Sequence, residues 1–95
     1  MSRRKGTVLI IDDEDEIRES IELLLNSEGL STDTAASGEE GLRKLEENLY
    51  DLVLLDLMLP GRSGMDIQKE IKRIDPMLPV VIITAMAAIG LEIEA

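Results

Sequence analysis

Three short runs of the chain are apolar at every position: Val8–Ile11, Leu52–Leu55 and Val80–Ile83. A strand with one face in water alternates apolar and polar residues, whereas a strand covered on both faces reads as an unbroken apolar run. The three runs therefore predict strands of a parallel sheet covered on both faces. A fourth segment, Leu30 to Ala35, interleaves Ser, Thr and Asp with its apolar positions and predicts an edge strand.

Between these runs the apolar positions recur at helical spacing. Within Glu14–Ser27 the residues Ile17, Ile21, Leu24 and Leu25 form one stripe of a helix. Gly29 stands where a left-handed residue closes such a helix. Ser37 and Glu40 form a capping box, with Ser37 as N-cap, and open a second helix with Leu42, Leu45 and Leu49 inward. A third helix runs from Gly64 to Ile74 with Ile67, Ile71 and Ile74 inward. Asp75-Pro76 stops it, because the residue before a proline is biased away from helix.

Strands that alternate with helices imply an α/β fold: a parallel sheet with right-handed crossovers. Sites in such sheets form beyond the carboxyl ends of the strands. The first strand ends in Asp12-Asp13-Glu14-Asp15-Glu16, the third in Asp56 and the fourth in Thr84-Ala85. Gathering Asp12, Asp13 and Asp56 is costly, because each negative charge raises the pKa of the others. A hard divalent cation such as Mg²⁺ removes that cost and accepts phosphate as a further ligand. Glu14, Asp15 and Glu16 have a plainer reading as acids in the first turn of a helix, favoured by its dipole. Asp56 follows four apolar residues and precedes Leu57-Met58-Leu59-Pro60, so solvated surface does not account for it. Thr84 alone is an ordinary β-branched strand residue, and only its place at a strand end singles it out.

Composition narrows the chemistry. The 95 residues suffice for one small domain, with no repeat or linker. Tyr50 is the one aromatic, so bases have little to stack on. Twenty acidic residues against ten basic give a net charge of −10, which repels a phosphate backbone and argues against direct nucleic-acid binding. Without cysteine or histidine there are no disulfides, no zinc site of the usual kind and no imidazole base. No stretch reaches the ~18 apolar residues of a membrane span, and the basic start Met1–Gly6 lacks the apolar stretch of a secretory signal. The expectation is a cytoplasmic protein that makes no membrane contact.

Together these residues resemble the receiver domain of bacterial two-component response regulators. Val8 to Glu14 is similar to the family's first strand and acidic pair. Tyr50 to Asp66 is similar to its phosphoacceptor strand and following loop, and Pro79 to Ala85 to the strand with the switch hydroxyl. The wording of the last two segments resembles regulators that activate transcription through an ATPase domain. The resemblance implies a flavodoxin-like doubly wound sheet in the order 2-1-3-4. It implies that Asp56 takes a phosphoryl group from a sensor histidine kinase and that Asp12, Asp13, Asp56 and the Met58 carbonyl hold Mg²⁺. Thr84 and the Ala85 amide would then bind the new phosphate.

One part of the pattern departs from the family. A fifth strand and helix usually follow, and a lysine ends that strand; here the last lysine is Lys72 and nothing after Arg73 is basic. The chain is therefore expected as a single truncated receiver domain over 1–95, with 1–6 an N-terminal extension and 86–95 an atypical tail. Val80–Ile83 becomes a bare edge, which predicts a homodimer or larger oligomer. An alternative is a receiver fragment that no longer accepts phosphate and acts only as an oligomerising or binding module. A carboxylate-dependent phosphohydrolase fits less well, since Met58 stands where a second acid is needed. A flavin-binding domain would need a Gly-, Ser- or Thr-rich loop in place of Asp12-Asp13.

Overall fold

The sheet is laid down by the alternation just described. The structure is a computed structural model and describes residues 6–83. Its elements are β1 (Thr7–Ile11), α1 (Asp15–Ser27), β2 (Ser31–Ala35), α2 (Gly38–Glu47), β3 (Leu52–Asp56), α3 (Gly64–Ile74) and β4 (Val80–Ile83). The four strands are parallel in the order β2-β1-β3-β4, which is the flavodoxin-like arrangement. The expected tail 86–95 and extension 1–6 fall outside the described residues except for Gly6.

The unbroken apolar runs of β1 and β3 fill the middle of the sheet, whereas that of β4 lies at its edge among the described residues and, against the expectation of two covered faces, leaves Val81 46% exposed. Leu9, Ile11, Val53 and Leu55 join Leu45, Ile67 and Ile71 in one buried cluster. Val8 and Ile10 are buried as well but stand outside that cluster, as alternate residues of a strand must. The interleaved segment forms the edge strand β2, although Leu30 precedes it rather than opening it. Two glycines bring α2 close to its neighbours. A β-carbon on Gly38 would fall 2.4 Å from Ile67 Cδ1, and one on Gly41 would fall 2.4 Å from Ile11 Cδ1.

Helix ends follow local chemistry. Gly29 has φ 90° and closes α1, with its N–H donating to the Asn26 carbonyl at 3.0 Å and the Leu30 N–H to Leu25 at 3.1 Å. That pair of bonds is the Schellman pattern. Ser37 Oγ accepts from the Glu40 N–H at 3.1 Å, as a capping box requires. The Glu40 carboxylate reaches one residue further back than the usual box and accepts from the Ala36 N–H at 2.8 Å.

Three apolar positions differ from the helical pattern. Leu49 is 92% exposed, because α2 ends at Glu47 and the Asn48 backbone is extended, so the period does not carry on to it. Ile74 is 41% exposed at the last residue of α3. Leu24 is 63% exposed, and no residue of α1 is fully buried.

The β2 edge carries a polar knot. Asp33 accepts from the Tyr50 hydroxyl at 2.6 Å and from Lys44 Nζ at 3.0 Å, while Lys44 also donates to the Thr34 carbonyl at 2.6 Å. Burial by itself raises the Asp33 carboxyl. The hydrogen bonds from Tyr50 and Lys44 outweigh it and hold the group below the ordinary carboxylate value.

Candidate functional site

Strand register brings the acids together. Ile11 of β1 pairs with Leu55 of β3, so the next residues, Asp12 and Asp56, emerge side by side at the carboxyl edge of the sheet. Asp13 follows in the turn to α1. One carboxylate oxygen from each of Asp12, Asp13 and Asp56 lies within 4.8 Å of the other two. Asp12 is 2% and Asp56 8% exposed, whereas Asp13 is open to solvent.

Backbone amides fix the two buried carboxylates. Asp12 Oδ1 accepts from the Glu14 N–H at 2.9 Å, and the Asp12 N–H donates to the Ala35 carbonyl at 3.1 Å. Asp56 Oδ1 accepts from the Met58 N–H at 3.0 Å. Burial pushes the Asp12 carboxyl above its ordinary value. The Glu14 N–H opposes that shift, and the charges of Asp56 and Asp13 add to it. A half-buried set of three carboxylates, two of them oriented by amides and one facing solvent, suits a hard divalent cation that keeps part of its water.

The loop after β3 forms the rest of the site. Asp13, Leu57 to Gly61 and Ser63 line a shallow depression beside the acids, with the Met58 side chain outward. Gly61 sits at φ 84°, a region that L side chains rarely adopt. Arg62 ties the loop to both neighbouring helices, pairing with Glu70 of α3 and lying 3.8 Å from Glu39 of α2. Ser63 caps α3, its Oγ accepting from the Asp66 N–H at 3.2 Å. The Gly64 N–H donates to the Leu57 carbonyl at 3.0 Å.

Of the residues expected at the site, the structure brings Asp12, Asp13 and Asp56 together and sets Met58 in the loop beside them. Thr84 and Ala85 lie outside the described residues. Asp15 and Glu16 take the plainer reading in the first turn of α1. Ser63, Gly64 and Arg62 were not foreseen as parts of the site. A serine followed directly by a glycine at a helix start was the signal available for the first two; nothing in the sequence marked Arg62.

A family model for the response regulator receiver domain matches residues 8–95. The chain is a receiver domain. As a class, receiver domains are the phosphoacceptor modules of two-component response regulators, bind Mg²⁺ at an acidic pocket and interact with sensor histidine kinases. This receiver domain is 46% identical over 79 residues to the transcriptional regulatory protein AfsQ1 of Streptomyces coelicolor, covering 83% of this chain and 35% of that protein. It is 38% identical over 92 residues to the DNA-binding transcriptional regulator NtrC of Klebsiella pneumoniae, covering 97% of this chain and 20% of that protein. The chain therefore spans a fifth to about two fifths of the curated relatives it matches. Among solved structures it resembles the response regulator TrrA of Thermotoga maritima, crystallised in complex with Mg²⁺-BeF. That similarity has a TM-score of 0.80 at 40% identity, over 83% of this chain and 69% of that one. No helix among the described residues is long and apolar enough to cross a membrane.

Proposed function

We propose that Asp56 accepts a phosphoryl group from the phosphohistidine of a sensor histidine kinase. The observation that carries this reading is the convergence of Asp12, Asp13 and Asp56 within 4.8 Å, with Asp56 buried at the end of β3. A carboxylate oxygen of Asp56 attacks phosphorus, an O–P bond forms, and the N–P bond to the imidazole breaks. The leaving nitrogen keeps the electron pair and takes up a proton. Asp56 Oδ1 is tied to the Met58 N–H, and the other oxygen, which has no hydrogen bond among the described residues, is the one assigned to the attack. Asp12, Asp13, Asp56 and the Met58 carbonyl are the residues that hold Mg²⁺. When bound, the ion neutralises charge on the acids and on the transferring phosphoryl oxygens. The reading assigns the Thr84 hydroxyl and the Ala85 amide to hydrogen bonds with the new phosphate.

The reading also assigns partners. The donor kinase places the domain in the cytoplasm. A second copy of the chain fits the β4 edge, where β4 pairs only with β3 among the described residues and Val81 is 46% exposed. Light scattering is expected to show a dimer, and a well-behaved monomer at high concentration overturns that part.

Incubation with a radiolabelled acyl phosphate and Mg²⁺ tests the central step. Stoichiometric labelling is expected for the native chain and none for Asp56→Asn. A native chain that takes no label leaves the binding-only module as the better description.

A further inference from the structure

The turn that carries Asp12 and Asp13 is held by a side chain that touches neither carboxylate. Arg18, in the second turn of α1, keeps only 16% of its side chain exposed. One arm of its guanidinium, Nη1, donates to the Asp12 backbone carbonyl at 2.5 Å, and the other, Nη2, pairs with the Asp15 carboxylate. The fork therefore spans the whole turn from residue 12 to residue 15. Inside that span the Glu14 N–H donates to Asp12 Oδ1, and the Arg18 N–H donates to the Glu14 carbonyl at 3.1 Å.

These contacts have a direct consequence for the acids. Three like charges within 4.8 Å repel one another, and Asp13 lies in an exposed turn that could open to relieve them. Opening the turn rotates the Asp12–Asp13 peptide, which the Arg18 fork holds by its carbonyl. A planar guanidinium can bond a carbonyl and a carboxylate at once in fixed geometry; a lysine ammonium on a flexible stem cannot reproduce that fork.

Building on the metal site proposed above, we infer that Arg18 is a positioning residue. It holds the β1–α1 turn closed in the absence of metal, so that Asp12 and Asp13 meet a divalent cation already arranged. Outer groups that orient ligands in this way typically contribute about 10- to 100-fold to metal affinity.

Calorimetric titration of Mg²⁺ into the full chain tests the inference, comparing the native protein with Arg18→Met, Arg18→Lys and Asp13→Asn. Both Arg18 variants are expected to bind Mg²⁺ about tenfold more weakly, and the Glu14 amide to exchange with solvent faster than in the native chain. Native affinity in both variants overturns the inference. Native affinity in Arg18→Lys alone also overturns it, since charge and not the fork then suffices. If Arg18→Met does not fold, Arg18→Lys decides, because it keeps the charge and most of the stem. Unchanged binding in Asp13→Asn removes the metal-site reading itself, and Glu14 exchange then remains as the separate measure of the fork.

Discussion

Gly64 lies so close to the backbone of Asp56 that a β-carbon built on it falls 2.6 Å from the Asp56 carbonyl oxygen. The same carbon would stand 2.6 Å from Leu57 Cα, and both obstacles are backbone, which cannot swing aside. The start of α3 and the end of β3 thus share a space that only a hydrogen can occupy.

Gly64→Ala should therefore push the Asp56–Leu57 peptide away from α3. A cost of about 1–3 kcal/mol is expected, as for other overpacked sites. Urea unfolding measures it, and Mg²⁺ titration should show weaker binding alongside. A variant as stable as the native chain would mean that the contact relaxes freely.

Asp12→Asn removes one of three crowded negative charges from a position where burial already disfavours the ionised form. With EDTA present the variant should melt at a higher temperature than the native chain at neutral pH. With Mg²⁺ the order should reverse, because the native site gains a ligand-linked stabilisation that the variant loses. Thermal unfolding with and without the metal reads both signs.

The folded-state pKa of Asp33 is lowered by Tyr50 and Lys44 against the effect of burial. A depressed carboxylate stabilises above its unfolded value, near about 4, and loses that contribution as pH falls through the lower folded value. Urea unfolding from pH 6 downward should show this loss, and Asp33→Asn should flatten it. The Asp33 side chain is 39% exposed, so solvent screening keeps the effect below about 1 kcal/mol. Tyr50→Phe should weaken the fold by about 1 kcal/mol at neutral pH and make the acid limb shallower.

Core and surface leucines of one segment should separate cleanly. Leu45→Ala, in the buried cluster, is expected to cost about 2–4 kcal/mol, whereas Leu49→Ser should stay within about 0.5 kcal/mol of the native chain. Equal costs would place Leu49 in the core.

The sheet was legible because a strand buried on both faces has a one-dimensional signature. Val8–Ile11 and Leu52–Leu55 gave the two inner strands in this way; Val80–Ile83 gave a strand as well, but β4 stands at the sheet edge among the described residues with Val81 46% exposed. The acidic triad followed, since residues that end parallel strands meet at one edge. Legibility failed where the outcome depends on a neighbour in space. Leu49 continues the helical period, yet the helix stops at Glu47, and only the structure shows that stop. Glu40 caps one residue earlier than the usual box because the approaching chain presents the Ala36 amide. Gly64 shows in its residue type that something lies close, but only the structure shows that it is the Asp56–Leu57 backbone; Arg18 acts through the Asp12 backbone carbonyl, which its residue type does not reveal.

The polar knot at the β2 edge has one more consequence. Tyr50 is the sole aromatic side chain in the protein, and it is bonded to Asp33. Every near-ultraviolet signal from this chain thus originates at one corner, where α2, β2 and the entry to β3 meet. Its optical spectrum is a local probe, and a fluorescence change on ligand addition reports that corner rather than an average over the molecule.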